Sequence, residues 1–455
     1  MMLYFSKILL ATPYGHLTST DLHSDKNLHQ REVLYSPPQI DPPRISNSMV
    51  AFIVMGFLLW THAVMADFNW TAYNMDSNNS KFYNAPPCPL ASNNLGWNAL
   101  KNQDGTYYTT NKRPVVIMYD SWDSAQLNAF LGQYILEAMG YRVQMVQRIN
   151  YELGIEFYND VVDLEFEIWL QDLGASFKQI TQTDKVALNL GAIGYNGNYG
   201  LYIPSYLLDD HPDWNLDFFR FLYNPLHTSI FPASGTGPRL IINGQPLCDD
   251  LPGLCINATY TPPQCKPPST RRCIELFHYD PSFATGIFQR MIDGLDLPVT
   301  LTFLGASTAE GFFREALQRR EAVFMMAIVP TVFAADANLT RVLFPGNNPT
   351  QYAAFLKDSS VPLTTEPQSS LLQKLGSRRF SRDFPELETL FTKYLLPEDQ
   401  INLMLKNMAV NGWTTRESSC DWFKKSQDVW GTWIPPVPKS VGEYHLFIFG
   451  GSLGS

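Results

Sequence analysis

A chain of 455 residues, of which 45% are hydrophobic and 17% are charged, is long enough to fold into two or three domains with sizeable cores. This composition excludes a disordered protein. The formal net charge is −10 and basic residues run no longer than pairs such as Arg271–Arg272, so we exclude nucleic acid as a partner.

An apolar segment near the N-terminus begins at Met49 and ends in small residues at Ala66. This pattern is typical of a signal peptide over 49–66, with an uncleaved signal anchor as the alternative. Residues 1–48 form a polar extension, and Met49 is a second candidate start of translation. We interpret this extension as an artefact of the gene model. Residues 67–111 form a further N-terminal extension.

Cysteines and glycosylation sequons both indicate the secretory route. The six cysteines include four within 248–273 and no Cys-x-x-Cys pair, which favours disulfides over zinc. Asn-x-Ser/Thr sequons occur at four positions, Asn69, Asn78, Asn257 and Asn338. We therefore predict a disulfide-bonded glycoprotein that is secreted or lies on the extracellular face of the plasma membrane.

Strand and helix patterns alternate from Pro114 onward. The predicted elements of this first part are strands at Val115–Tyr119, Tyr141–Ile149 and Val162–Trp169, a helix at Ser124–Met139 and a helical turn near 151–159. A succession of strand, helix and strand predicts a mostly parallel sheet covered by helices, and hence the α/β class.

The stretch 224–273 interrupts this alternation, because it is rich in proline and glycine and carries four cysteines. We interpret it as a disulfide-stapled insertion rather than a domain with its own core. Beyond it the patterns predict a buried strand at Ala322–Val329 and helices at Phe283–Leu295, Ala309–Arg320, 395–410 and 419–430.

Three carboxylates, Asp163, Glu165 and Glu167, alternate along the third predicted strand. We interpret the alternation as a solvated strand face or a strand end, the alternative being a group of carboxylates for acid–base catalysis. The sequence contains no His-Glu-x-x-His, P-loop or Gly-x-Gly-x-x-Gly motif. We predict no enzyme, no catalytic residue, no metal and no cofactor.

Two tryptophans stand at or just beyond the carboxyl ends of predicted strands. Trp122 comes directly after the first strand and before a helix, and Trp169 stands at the carboxyl end of the third strand. Ligands of open α/β sheets lie beyond the carboxyl ends of the strands. The two side chains are therefore candidates for one binding crevice, the alternative being that each fills the core or the surface.

Five short segments occur in order along the chain, Tyr119–Ser124, Asp163–Trp169, Asn198–Tyr206, Tyr279–Ser282 and Ala309–Pro330. Together they resemble the substrate-binding component of glycine betaine/choline ABC importers, the OpuAC-type family. The resemblance covers about 112–223 and 274–435.

The resemblance implies a type II periplasmic-binding-protein clamshell, in which two α/β lobes close on a ligand. In this family a quaternary ammonium group lies among aromatic faces and is held by cation–π attraction. The resemblance implies ring contacts from Trp122, Trp169 and Tyr199. It also implies that the backbone amides of His278 and Tyr279, just before an Asp-Pro turn, hold a ligand carboxylate.

Two departures from the family pattern affect the second lobe. Ile328–Thr331 stands where the family has Trp-x-Pro-His, so one aromatic ring and one histidine are missing, and Tyr279 or Tyr260 is a candidate to compensate. The glycines beside the Asp-Pro turn are replaced by His278 and Ser282, which argues against the close approach of a carboxylate.

We predict an α/β protein with the two-lobed type II periplasmic-binding-protein clamshell and a cysteine-rich insertion. Lobe 1 is expected at 112–203 and 333–435, lobe 2 at 204–332, and a tail at 436–455. The predicted function is extracellular binding of a small quaternary-ammonium or amine ligand for sensing or transport, with a membrane permease or receptor as partner. The alternative is a clamshell without a ligand that acts as a protein-interaction or structural ectodomain.

Overall fold

The computed structural model describes residues 88, 95–148, 153–239, 241–242, 245–246, 248 and 255–438. The extension 1–48 and the predicted signal peptide 49–66 lie outside the described residues. The same holds for the sequons at Asn69 and Asn78 and for the predicted tail beyond residue 438. Among the described residues, no helix combines the length and the apolar character that a membrane span requires.

The strands are short, with one exception. In chain order they are β1 (Val115–Tyr119), β2 (Val143–Gln147), β3 (Leu164–Trp169), β4 (Ala187–Pro204), β5 (Ile241–Ile242), β6 (Gln245–Pro246), β7 (Thr259–Tyr260), β8 (Ile274–His278), β9 (Val299–Phe303), β10 (Phe324–Val329), β11 (Leu339–Arg341) and β12 (Ser370–Ser377). The strands predicted from the sequence correspond to β1, β2, β3 and β10, whereas the other described strands, including the long β4, were not predicted.

The helices connect these strands and form most of the C-terminal part. They are α1 (Asp123–Ala138), α2 (Ile155–Tyr158), α3 (Leu170–Lys178), α4 (Tyr206–Asp210), α5 (Pro225–Thr228), α6 (Ile287–Gly294), α7 (Ala306–Gln318), α8 (Val332–Asp336), α9 (Pro349–Lys357), α10 (Arg378–Asp383), α11 (Pro385–Lys393), α12 (Glu398–Asn411), α13 (Thr415–Lys425) and α14 (Gln427–Trp430). The helix predicted from Phe283 begins only at Ile287, after a turn.

A mixed sheet of ten strands has the order β2-β1-β3-β12-β4-β10-β8-β9-β7, with β11 paired to β4. The strands β1, β2 and β3 are parallel to one another, and so are β8, β9 and β10. Between them, β12 and β4 run antiparallel to their neighbours. The α/β class is confirmed, but the parallel arrangement is limited to these two sets of strands.

The long strand β4 is shared by both sets. Its residues from Ala187 to Gly197 pair with β12, and those from Asn198 to Tyr202 pair with β10. We call β1, β2, β3 and β12 the first strand group, and β7, β8, β9 and β10 the second strand group. Because the pairing changes partner between Gly197 and Asn198, β4 crosses from one group to the other there.

The helix α1 packs against β1, β3 and α13. Its buried apolar side chains recur at helical spacing and include Leu127, Phe130, Leu131, Tyr134 and Ile135. Burying each such side chain contributes about 1.5–3 kcal/mol. This packing fixes the N-terminal end of α1, where Trp122 is the capping residue.

All six cysteines form disulfides, which confirms that prediction: Cys88–Cys420, Cys248–Cys255 and Cys265–Cys273. The last two lie within the predicted insertion. The described part of the insertion also contributes β7, which pairs with β9 and extends the second strand group. The disulfide Cys88–Cys420 connects a segment before the first strand to α13.

Candidate binding cleft

A cleft with a volume of about 230 Å³ lies between the two strand groups. Its walls are formed by Ser121, Trp122, Asp123, Trp169, Tyr199, Tyr279, Phe283, Glu310, Ile328, Pro330 and Thr331. The structure thus brings together four of the five residues singled out from the sequence, Trp122, Trp169, Tyr199 and Tyr279. The fifth, His278, does not line the cleft.

The two tryptophans reach the cleft because their strands are neighbours. β1 and β3 are parallel and paired at Ile117↔Leu164, so their carboxyl ends meet at one edge of the sheet. Trp122 follows β1 after a short turn, and Trp169 is the last residue of β3. Trp169 is only 4% exposed, whereas Trp122 is half-buried.

Tyr199 joins these rings from β4. Its ring is stacked on that of Trp169, with the ring centroids 5.2 Å apart and the planes at 19°. The stack is possible because Gly197 lies beneath the indole, where an added Cβ would come within 2.4 Å of the Trp169 ring. A residue without a side chain at position 197 therefore permits the close approach of β4 to Trp169.

The carboxylate of Glu167 lies behind both tryptophans. It accepts hydrogen bonds from the indole Nε1 of Trp122 at 2.7 Å and from that of Trp169 at 3.3 Å. The hydroxyls of Ser124 and Tyr195 donate to the same carboxylate, each at 2.6 Å. Burial raises the pKa of Glu167 to about 7, while these hydrogen bonds act in the opposite direction.

The expectation that Asp163, Glu165 and Glu167 form a solvated strand face is wrong, because all three are almost completely buried. Asp163 is held by the guanidinium groups of Arg113 and Arg379, and Glu165 by that of Arg148. Each carboxylate thus has its own partners, although Arg113 and Arg379 are only partly buried. The sequence pattern shows the alternation but not the distant basic and hydroxyl groups that accommodate these charges.

The opposite wall comes from the second strand group. Tyr279 follows β8, Phe283 lies in the turn beyond it, and Glu310 projects from α7. Burial, followed by the nearby Glu310 carboxylate, raises the pKa of the Tyr279 hydroxyl. Sequence reasoning missed Phe283, Glu310 and the lining role of Asp123. Asp123 and Glu310 lie within two of the segments that carry the family resemblance, but no local pattern marks their side chains as lining a cleft.

The imidazole of His278 points away from the cleft into the second strand group. It packs edge-on against Phe288 and Phe303, at centroid distances of 5.6 and 5.2 Å. Burial lowers its pKa to about 3, so the ring is neutral at physiological pH. The backbone role predicted for His278 stays a prediction.

The positions that depart from the family pattern also lie in the cleft. Ile328 and Thr331 both line it, and Ile328 is paired with Tyr199 across β10 and β4. Of the two residues considered as substitutes for the missing ring, Tyr279 lines the cleft. Tyr260 does not, because it lies in β7 at the sheet edge, with its hydroxyl on Asp293.

Two carboxylates connect the walls. Asp172 of α3 accepts a hydrogen bond from the Tyr199 hydroxyl at 2.6 Å and interacts with the backbone N–H of Ala284, beyond β8. Asp123 accepts from the backbone N–H of Val332, beyond β10. Burial raises the pKa of Asp172 to about 6.

The chemistry of the cleft is that of aromatic faces backed by carboxylates. Its described lining contains two acidic side chains, Asp123 and Glu310, and no lysine, arginine or histidine. Within the described ranges, no cluster of three or more His, Cys, Asp or Glu side chains is arranged to hold a metal ion. Such a site suits a cation that can contact π-electron faces.

Comparison with known proteins identifies one matching family. Residues 113–214 match the model of OpuAC, the substrate binding domain of an ABC-type glycine betaine transport system. The predicted resemblance is therefore confirmed for this part of the chain. The matched family consists of binding domains and not of enzymes, in agreement with the sequence prediction. No curated protein sequence matches the chain.

Solved structures similar to the chain include lactococcal OpuAC in a closed form with glycine betaine, at 13% identity and a TM-score of 0.47, covering 71% of this chain and 100% of that one. A glycine betaine/L-proline-binding protein (ProX) from Borrelia burgdorferi aligns at 12% identity with a TM-score of 0.47. The alignment covers 71% of this chain and 97% of that one. An ABC-transporter choline binding protein in complex with choline aligns at 10% identity with a TM-score of 0.45. The alignment covers 74% of this chain and 97% of that one.

Proposed function

We propose that the cleft binds a small quaternary-ammonium or amine ligand, for sensing or transport, and does not change it chemically. The observation that carries this proposal is the cluster of Trp122, Trp169 and Tyr199 over the buried carboxylate of Glu167. Trp122, Glu167, Trp169 and Tyr199 all lie within the part of the chain that matches a glycine betaine substrate-binding domain.

The physical basis is the attraction of a cation to aromatic faces. Each ring contributes about 0.5–2 kcal/mol when the cation is desolvated. The methyl groups of a quaternary ammonium also remove apolar surface from water when they contact the rings. The carboxylate of Glu167 adds negative charge behind the rings where it is ionised, and it holds the two indoles in place before a ligand arrives.

We infer that 112–203 and 333–435 act as one lobe and 204–332 as the other, and that ligand binding draws the two together. Support comes from β4, whose pairing passes from the first to the second strand group at Gly197 and Asn198. Rotation of one lobe against the other about such connections is the usual form of hinge closure around a ligand.

We also propose that the protein works outside the cell, with a membrane permease or a receptor as its partner. The three disulfides support this setting, because disulfides persist in oxidising compartments. The described sequons Asn257 and Asn338 are available for glycosylation in the same setting.

Isothermal titration of the full chain, made in a secretory host, tests the proposed function. The panel consists of choline, glycine betaine, carnitine, proline betaine and ordinary amino acids. We expect one trimethylammonium compound to bind with a Kd on the order of micromolar, about 8 kcal/mol. Absence of binding by every compound, with circular dichroism showing a folded protein, would contradict it and favour an interaction ectodomain without a ligand.

A further inference from the structure

The charge of the cleft wall restricts which trimethylammonium compound fits. Asp123 stands at the N-terminus of α1 on one wall, and Glu310 projects from α7 on the other. Each carboxylate is close enough to the other for their repulsion to raise the pKa of Glu310, after the larger effect of burial. A cation placed between them would relieve this repulsion, whereas an anion would increase it.

Little positive charge offsets the Asp123 and Glu310 carboxylates on this side of the cleft. Arg314 lies one helical turn after Glu310 and attracts both acidic groups. Its guanidinium, however, is paired with Asp336 at 2.9 Å, lies over the Phe333 ring and is partly exposed. It does not belong to the cleft lining, so a carboxylate on the ligand would meet Asp123 and Glu310 without a cationic partner among the described lining residues.

The hydroxyl of Tyr279 supplies a neutral polar group at the same place. It is buried beside the Glu310 carboxylate and interacts with it. Tyr279 and Glu310 thus place a donor and an acceptor side by side on this wall of the cleft. A hydroxyl group on the ligand can accept from Tyr279 and donate to Glu310.

We infer that the cleft selects a monocation that bears a hydroxyl, such as choline, over a zwitterion, such as glycine betaine, and that Glu310 is the residue that discriminates. This inference rests on the proposed function, because it concerns the ligand of the same cleft. Selectivity arises mainly by rejection, because a ligand carboxylate would face Asp123 and Glu310 with no lysine, arginine or histidine among the described lining residues. The trimethylammonium group is common to both compounds.

Titration of the full chain with choline, ethyltrimethylammonium and glycine betaine tests the inference. Ethyltrimethylammonium lacks only the hydroxyl of choline, and glycine betaine carries a carboxylate instead. We expect choline to bind at least about 10-fold more tightly than glycine betaine, with ethyltrimethylammonium between them. In Glu310→Gln the choline affinity should fall about 10-fold while that for glycine betaine stays or rises. Glu315→Gln, an exposed change on the same helix, should behave like the wild type.

The results of these titrations distinguish a failure of the inferred selectivity from a failure of the proposed function. Equal or tighter binding of glycine betaine by the wild-type protein would overturn the inferred selectivity for choline. It would not contradict the proposed binding of quaternary-ammonium ligands by the aromatic cleft. The same follows if Glu310→Gln, shown to be folded by its thermal transition, keeps the wild-type ratio of affinities. If none of the three compounds binds to the folded wild-type chain, the proposed function fails and the inference fails with it.

Discussion

At the scale of single residues, Glu167 determines how the cleft is organised. Removing a carboxylate from water is costly, and the cost is offset here by four donors, of which two are the indoles of Trp122 and Trp169. Hydrogen bonds to a charged group contribute about 1.5–3 kcal/mol each. The ionised carboxylate and the orientation of the rings are therefore mutually dependent.

The affinity for a quaternary ammonium ion should fall as the pH falls through about 7. The pKa of Glu167 is raised to about 7, so the carboxylate is ionised above that pH and attracts the ligand, and it is neutral below it. Asp172, with a pKa of about 6, and Asp123 and Glu310, whose pKa values burial also raises, act in the same direction. Choline itself does not titrate in this range.

Titration calorimetry with choline at pH 8.5 and pH 5.5 measures this effect. We expect an affinity about 5- to 20-fold lower at pH 5.5, corresponding to about 1–2 kcal/mol. Glu167→Gln keeps an acceptor for the indoles but carries no charge. Its affinity for choline should therefore be lower than that of the wild type at pH 8.5 and should change less with pH. A pH dependence in Glu167→Gln equal to that of the wild type would show that this carboxylate is not responsible.

At the scale of elements, β4 positions the cleft, because it places Tyr199 against Trp169 and passes between the strand groups. The close approach depends on Gly197, where a Cβ would come within 2.4 Å of the indole. Real Cβ atoms do not tolerate such a distance, so the indole or the strand must move if a side chain is added.

Gly197→Ala should therefore weaken choline binding by about 10-fold or more, with the fold retained, because a displacement of a binding group by about 1 Å can have such an effect. Gly174→Ala is the matched control. It lies in α3 with nothing within 4 Å of an added Cβ, so it should leave binding unchanged and stabilise the helix by about 0.5–1 kcal/mol. Equal affinities for the two variants in calorimetry would exclude the packing role assigned to Gly197.

Sequence patterns predicted β1, α1 and β3 because their apolar residues recur at the spacing of a strand or a helix. The same patterns missed β4, whose Gly191, Gly194, Gly197 and Gly200, together with several asparagines, are typical of turns. Gly194 and Gly197 are needed there for close tertiary contacts, with Leu396 and Trp169 respectively, which no local pattern reveals. The buried state of Glu167 was missed for the same reason, since its donors Trp122, Ser124 and Tyr195 are distant in the sequence.

At the scale of the whole molecule, the Cys88–Cys420 disulfide joins two parts of the chain that are 332 residues apart. Cross-links over long loops restrict the unfolded chain, and their removal typically costs about 2–5 kcal/mol. The double substitution Cys88→Ser with Cys420→Ser should lower the free energy of unfolding by this amount in denaturant titration. Since neither cysteine lines the cleft, choline affinity should stay the same, and a loss of affinity in the folded variant would contradict this separation.

The central claim is that Trp122, Trp169 and Tyr199 form the binding surface for a cation between the two strand groups. The most direct test is calorimetric titration of choline into the full wild-type chain and into Trp122→Ala, whose indole is half-buried at the cleft. We expect the variant to keep its fold and to bind choline more weakly by about 1–3 kcal/mol, because cation–π attraction and apolar contact are lost. A folded variant with the wild-type affinity would contradict it.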